Sequence, residues 1–184
     1  MNELSEAVSG KRLPDAGLDL RDPEREAAVT RLFDGYHHQL VRLATLLGAG
    51  SDAEDVVAEA FCDLHRRWNR LRDPGKALSY LRAVVCNQVR MRHRHQAVVR
   101  RHPEPPLPDA SSAEQEAVLR EEHREVAEAL LRLPDRQRQA LVLRYWLDLG
   151  EREVAETMGI SNGAVKSHTS RGLAALARSL EQRR

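Results

Sequence analysis

The sequence predicts an all-α protein of two small helical domains joined by a proline-rich linker. Through most of the chain, apolar residues recur at steps of three and four, which is the period of an amphipathic helix. Aromatic residues make up only 4% of the 184 residues, so the cores must be built from Leu, Val and Ala. The helical pattern is interrupted by four closely spaced prolines, Pro103, Pro105, Pro106 and Pro108, which are incompatible with a helix. The predicted boundaries are residues 1–26 for a disordered acidic tail, 27–96 for the first domain, 97–111 for the linker and 112–184 for the second domain.

The first domain is predicted to be a small bundle of three or four helices around one apolar core. Its first helix carries an apolar stripe from Val29 to Leu47 and stops at the Gly-Ala-Gly of residues 48–50. Ser51 and Glu54 have the spacing of a capping box, which predicts the start of the second helix. The second helix is expected to bury Val57, Ala60, Phe61, Leu64 and Trp68 and to leave Asp55, Glu59 and Asp63 outside. The third helix is expected to turn Leu78, Leu81, Val85 and Val89 inward.

Charge is distributed very unevenly along this first domain. The formal net charge of the chain is only +1, which by itself says little about nucleic acid. However, residues 77–102 contain no acid and six arginines, whereas residues 51–64 contain five acids and no Lys or Arg. A phosphate backbone responds to the local potential rather than to the average. The sequence therefore predicts one basic and one acidic surface.

Residues 154–173 have the pattern of a helix-turn-helix. Val154, Met158, Ile160 and Val165 form the predicted apolar seam, with Ala155 small at the helix crossing. Gly159 suits a turn with positive φ, and Ser161 is the expected N-cap of the second helix. That helix carries basic and hydrogen-bonding side chains and no acid, which favours entry into the major groove of DNA. The helix before it carries Leu141, Val142, Tyr145 and Trp146, and Leu141, Val142 and Tyr145 fit a helical core.

Other classes of function find little support. Cys62 and Cys86 are far apart and belong to no zinc-like cluster, and adjacent His37 and His38 are badly placed to share a metal, as are His93 and His95. No phosphate-binding glycine loop and no catalytic motif occurs, so no catalytic residue, metal site or cofactor is predicted. With no apolar run that suggests secretion or a membrane span, the expected location is the cytoplasm.

Two alternatives stay open at this point. A stand-alone helix-turn-helix regulator that binds operator DNA as a dimer explains residues 154–173 equally well, but not the acidic and arginine-rich helices. The second alternative is a protein-interaction adaptor built of amphipathic helices, which gives no role to the basic helix.

Five segments in order resemble the bacterial RNA polymerase sigma factors of the extracytoplasmic-function type, in the sigma-70 family. In the first domain they are residues 52–61, DAEDVVAEAF, and 80–87, YLRAVVCN. In the second domain they are residues 133–141, LPDRQRQAL, then 145–149, YWLDL, and 153–161, EVAETMGIS. The resemblance covers about residues 28–95 and 112–180. It implies a sigma region 2-like first domain and a sigma region 4-like second domain, and it makes core RNA polymerase and promoter DNA the expected partners.

The resemblance also implies roles for individual residues. The acidic helix would dock on the clamp helices of the largest polymerase subunit through Asp52, Asp55 and Glu59. Ala58 stands where the family usually has Gln, which removes one polar contact. The surface near residues 141–146 would meet the flap of the second-largest subunit. Control by an anti-sigma factor gripping both domains is a further implication.

Promoter contacts follow from the same resemblance. The −10 element would meet Arg82, Asn87, Arg90 and Arg94, and the turn at residues 69–77 would help to hold a flipped base. The −35 element would meet Asn162, Lys166, Ser167, His168, Ser170 and Arg171. Thr169 replaces a residue that is usually apolar in the family. The linker, roughly fifteen residues at ~3.1 Å each, could reach ~45 Å, which is more than one turn of duplex.

Overall fold

The computed structural model describes residues 23–71, 73–99 and 124–182, and the regular elements within those ranges are all helical. The first domain contains α1 (Pro23–Leu46), α2 (Ala53–Arg67) and α3 (Ala77–Val99), with 3-10 turns at Gly50–Asp52, Trp68–Arg70 and Pro74–Lys76. The second contains α4 (Arg124–Leu131), α5 (Asp135–Leu141), a π-helical turn (Val142–Trp146), α6 (Glu151–Met158) and α7 (Asn162–Glu181). The predicted all-α fold is confirmed.

Helices cross two of the predicted boundaries. α1 begins at Pro23, four residues inside the predicted tail, because a proline is preorganised for the first helical position and Glu24 and Glu26 complement the helix dipole. α3 continues to Val99, three residues into the predicted linker. Residues 1–22 and 100–123, with the prolines of the linker, lie outside the described residues.

The N-cap of α2 lies one residue beyond the predicted Ser51. α2 is N-capped by Asp52, with no side-chain hydrogen bond at the cap, and it is preceded by the 3-10 turn. The cause lies just upstream, where Gly48 and Gly50 adopt φ values of 95° and 58°. Those left-handed residues end α1 and bring the chain into the next helix through the 3-10 turn, which places Ser51 inside the turn rather than at the cap.

The predicted core of the first domain is largely confirmed. Leu43 of α1, Val57 of α2 and Leu81 of α3 are fully buried, and Val85 and Val89 are buried beside them. Trp68 and Leu78 are only half-buried. The side chains of Phe33 and Tyr36 lie on the rim, 42% and 36% exposed, and Phe33 meets Phe61 edge-on with ring centroids 5.2 Å apart.

The helix-turn-helix forms as the sequence predicts. Gly159 has φ of 63° at the end of α6, and the Ser161 hydroxyl accepts a hydrogen bond from Ala164 N at 3.2 Å to cap α7. Val154, Met158 and Val165 are buried between the two helices. α7 extends to Glu181, and this length lets it pack against α4 and α5 as well as α6.

The two domains are in contact. α3 packs against α6 and α1 packs against α4, so the buried residues of both domains join into one apolar cluster. Gly48 lies at this junction, because a Cβ there would stand 3.1 Å from the His93 ring and 3.3 Å from a methyl group of Leu131. This contact between the domains has no signal in the sequence patterns, and the predicted reach of the linker lies outside the described residues.

Candidate nucleic-acid and polymerase interfaces

The N-terminal half of α7 presents the predicted DNA-reading side chains. Its exposed residues are Asn162, Lys166, Ser170 and Arg171, while Ser167 and His168 are half-buried. Residues 162, 166 and 170 are spaced by four, so they lie along one helix face. Lys166 Nζ is 3.6 Å from Glu151 Oε2, a carboxylate in the first turn of α6. The structure thus places Asn162, Lys166 and Ser170 on one exposed face, while Ser167, His168 and Arg171 lie on the adjoining face of α7.

Thr169 lies behind that surface. Its hydroxyl oxygen is buried and makes no hydrogen bond within the described part of the chain. A buried hydroxyl without a partner costs about 1–3 kcal/mol. Thr169, which stands where the family usually has an apolar residue, therefore places a buried hydroxyl without a hydrogen-bond partner among the described residues.

We expect Thr169→Val to stabilise the protein by about 1 kcal/mol, because a methyl group replaces an unsatisfied hydroxyl of similar size. Chemical denaturation followed by circular dichroism measures this change. Thr30→Val, the same change at an exposed position of α1, is the control and should leave the midpoint nearly unchanged, since Thr and Val have similar helix propensities. A loss of stability in Thr169→Val would contradict the assignment.

On α3, three of the four predicted −10 residues share a face. Asn87, Arg90 and Arg94 fall within roughly 60° of helix circumference. Asn87 and Arg94 are exposed, and Arg90 Nη2 donates to Asn87 Oδ1 at 2.9 Å. This pair positions an amide and a guanidinium side by side, a combination suited to base edges and phosphates.

Arg82 does not belong to that face. It is rotated roughly 140° from Asn87 around α3 and is half-buried at the contact between the domains. Burial lowers the pKa of its guanidinium, and the nearby carboxylate of Glu153 in α6 opposes that change. Its Nε is buried without a hydrogen bond to any described residue. The structure thus separates Arg82 from the other three predicted residues.

The acidic surface is partly neutralised by a residue that the sequence analysis had not placed there. Arg92 of α3 reaches across to Asp52 at 3.2 Å and to Glu59 at 2.9 Å. Asp55 remains exposed beside them on α2. Asp55 and Glu59 are four residues apart and so share a face, while the bridge holds Asp52 and Glu59 in fixed positions.

Asp63 was expected outside, and it instead ties two helices together. Its carboxylate accepts a hydrogen bond of 2.6 Å from the Tyr80 hydroxyl of α3 and lies near Arg66 and Arg67. Burial, followed by the Asp63 contact, raises the pKa of Tyr80 to about 12. Asp63 is therefore a packing residue, a role that only the α2–α3 contact reveals.

An apolar groove of about 420 Å³ runs between the two domains. Residues 141–146 divide between the core and this groove, and the contact with a partner stays a prediction. Leu141 and Val142 are buried core, whereas Tyr145 is 59% exposed and lines the groove beside Trp146. The Arg42 guanidinium of α1 lies 5.7 Å from the Trp146 ring centroid, in cation–π range. The groove is completed by Leu46, Val126, Ala127, Leu130, Leu173 and Leu176.

Comparison with known protein families matches both domains. The family described as Sigma-70 region 2 matches residues 32–98, and the family described as Sigma-70, region 4 matches residues 123–176. The chain is 34% identical over 154 residues to the ECF RNA polymerase sigma factor SigM of Mycobacterium tuberculosis, covering 83% of this chain and 77% of that protein. The chain belongs to the sigma-70 family.

Another relative of this sigma factor agrees with that assignment. The RNA polymerase sigma-E factor of Streptomyces coelicolor is 32% identical over 136 residues, which are 72% of this chain and 73% of the relative. Region 2 corresponds to α1–α3 and region 4 to α4–α7, so each candidate surface lies inside a matched region. The protein is thus a sigma factor of the extracytoplasmic-function type, a class that binds RNA polymerase to initiate transcription.

Solved structures share the fold of this sigma factor. The sigma factor RpoE, in complex with the anti-sigma factor NepR from Bartonella quintana, superposes with a TM-score of 0.63 at 20% identity, covering 84% of this chain and 98% of that one. CnrH in complex with the cytosolic domain of CnrY has the same TM-score at 21% identity, with coverages of 85% and 90%.

Within the described ranges, no helix is long and apolar enough to cross a membrane and no group of His, Cys, Asp or Glu is arranged to hold a metal.

Proposed function

We propose that this sigma factor reads the two promoter elements with separate surfaces, α3 for the −10 element and α7 for the −35 element. The observation that carries the proposal is that one chain presents two acid-free helical faces, one in each matched sigma region. Its domains are proposed to be residues 27–96 and 112–184, connected by 97–111 and preceded by 1–26.

At the −10 element, the proposed contacts are Asn87, Arg90 and Arg94. Strand separation needs an acceptor for unstacked bases, and an arginine plane or an amide edge provides one. The Asn87–Arg90 hydrogen bond supports this role because it holds both groups in place before DNA arrives. The turn at residues 69–77 lies at the start of α3, where it would help to hold a flipped base. Arg82 is proposed as a fourth contact from a different face of α3, at the contact between the domains.

At the −35 element, the proposed contacts are Asn162, Lys166, Ser167, His168, Ser170 and Arg171. Lys and Arg side chains suit guanine edges, while Ser and Asn suit adenine or phosphate. The capped start of α7 supports this role, because it fixes the helix end that enters the groove.

Polymerase binding is proposed to use two other surfaces. Asp52, Asp55 and Glu59 would meet the clamp helices of the largest subunit, and Tyr145 with Trp146 would meet the flap of the second-largest subunit. An anti-sigma factor is a further proposed partner, since both structural neighbours were solved in complexes and RpoE was solved with an anti-sigma factor. We place the protein in the cytoplasm and assign it no catalytic activity or cofactor.

A gel-shift experiment on duplex promoter DNA tests the proposal. The chain alone should give no specific complex, and adding core polymerase should produce one that initiates run-off transcription. A sigma factor depends on the polymerase for promoter binding, whereas a stand-alone regulator does not. Tight, specific binding by the chain alone would favour the regulator, an alternative that the two matched sigma regions disfavour.

A further inference from the structure

Three carboxylates of α2 follow one another along the same face, and an arginine of α3 crosses two of them. Asp52, Asp55 and Glu59 are separated by three and four residues, which keeps them on one side of the helix. Arg92 binds the outer two with its terminal nitrogens, Nη1 to Asp52 Oδ2 at 3.2 Å and Nη2 to Glu59 Oε1 at 2.9 Å. One guanidinium therefore spans about two turns of α2 and fixes both ends of the acidic surface.

The two bridged carboxylates are more exposed than the arginine that joins them. The Arg92 side chain is 27% exposed, whereas those of Asp52 and Glu59 are 44% and 58% exposed. Each carboxylate gives one oxygen to Arg92, and its second oxygen has no partner among the described residues. Asp55 is exposed on the same face. The second oxygens are therefore available to cations that approach from outside.

Arg92 makes the acidic surface a better docking site even though it lowers the negative charge there. Neighbouring carboxylates repel one another, and a glutamate side chain loses rotamer freedom when a partner fixes it. The guanidinium offsets the repulsion and orders both side chains before a partner arrives, so that binding costs less entropy. The three carboxylates and Arg92 together have a formal charge of −2, which two cations of a partner balance.

We infer that Arg92 is a positioning residue for polymerase binding, which presents Asp52 and Glu59 as a pair of anchors for two cationic side chains of the polymerase. The inference rests on the proposed function of the acidic surface and adds to it the residue that sets its geometry. In the complex the charges alternate, with Arg92 between the two carboxylates and a polymerase cation on the outer oxygen of each. Arginine suits this position because its planar fork reaches two carboxylates at once, whereas the ammonium of lysine is a single point of charge.

Arg92→Lys separates the geometry from the charge in the full-length chain. We expect the complex with fluorescently labelled core polymerase, formed without DNA, to dissociate about tenfold faster, because the two anchors are no longer held. The association rate should stay about the same, because electrostatic steering depends on a net charge that lysine preserves. Arg66→Lys is the control, since Arg66 is an exposed arginine that lies 3.6 Å from Asp63 on the same helix, and it should change neither rate.

Arg92→Gln is a second variant, which removes the charge as well as the fork. It makes the acidic surface more negative, so association should be faster at low salt. Dissociation should nevertheless be at least as fast as in Arg92→Lys, because neither carboxylate is then fixed. Weaker binding by a more negative surface is the result that distinguishes positioning from simple charge attraction.

A double-mutant cycle tests whether Arg92 acts through its two carboxylates. In a chain that carries Asp52→Asn and Glu59→Gln, Arg92→Lys should have no further effect on dissociation. A purely structural role would instead appear as a loss of helix content in circular dichroism, and its effect on binding would persist in that background.

Two results would overturn the inference. One is unchanged dissociation of folded Arg92→Lys when Asp52→Asn with Glu59→Gln weakens binding. The other is tighter binding of Arg92→Gln, because Arg92 would then only screen the acidic surface. Failure of the proposed function gives a different pattern, in which the chain with Asp52→Asn and Glu59→Gln binds core polymerase as tightly as the wild type.

Discussion

Replacing Asp55 and Glu59 by lysine is expected to weaken binding to core RNA polymerase by about one hundredfold, since two attractive contacts become repulsive ones. Asp55 is exposed, and Glu59 makes only an exposed ion pair with Arg92. Exposed pairs contribute about 0–1 kcal/mol, so the fold should be retained. Binding of the double variant to fluorescently labelled core polymerase, without DNA, measures the effect.

The matched control for the single variant Asp55→Lys is Glu181→Lys, one reversal of charge at the exposed end of α7. The effect of the double variant should shrink as salt is raised, because exposed charges are screened. Asp55→Lys alone should give part of the loss without disturbing Arg92. Wild-type affinity in a folded double variant would remove the acidic surface from the polymerase interface.

The second large effect is expected at α7. Lys166→Ala with Arg171→Ala should lower transcription from a −35-dependent promoter by about one hundredfold, at about tenfold for each lost contact. In the wild type, Lys166 Nζ lies 3.6 Å from the Glu151 carboxylate. Lys166→Ala therefore also leaves Glu151 without its counter-charge near the DNA. Run-off transcription with saturating core polymerase measures the effect.

Arg178→Ala provides the control for α7. Arg178 is an exposed arginine further along the same helix, where it donates to the carbonyl oxygen of Ala174 at 3.3 Å. Its loss should change transcription little. Equal output from the double variant and the wild type would refute the role of the two basic residues in reading the −35 element.

The sequence predicts best what depends on neighbours along the chain. The helix-turn-helix needs a left-handed residue at Gly159, a cap at Ser161 and apolar residues at helical spacing, and all of these signals lie within a few residues. Helix periodicity likewise identified the buried faces of α2 and α3. In both cases the residues that make up the sequence pattern also form the local structure, so a prediction from the pattern is reliable.

The misses share a different cause, which is pairing between distant residues. Asp63 was placed outside because nothing near it in the chain indicates Tyr80, and Arg92 was not placed against the acidic helix for the same reason. Arg82 was grouped with the DNA-facing residues because charge alone does not reveal which face meets a second domain. The shift of the N-cap from Ser51 to Asp52 has a separate, local cause, since the left-handed glycines before it lead the chain through a 3-10 turn.

The π-helical turn at Val142–Trp146 has a consequence for length variation in this protein. Leu147 N donates to Val142 O at 3.1 Å, so the turn holds one more residue than an α-helix would. Deleting one residue there would remove the extra residue and restore ordinary α-helical winding, with little change in the faces that the flanking residues present. Adding a residue before Tyr145 would instead rotate everything after it by about 100° relative to α5. Tyr145 would then leave the groove and α7 would turn away from its present packing, so this short stretch should tolerate the loss of a residue better than the gain of one.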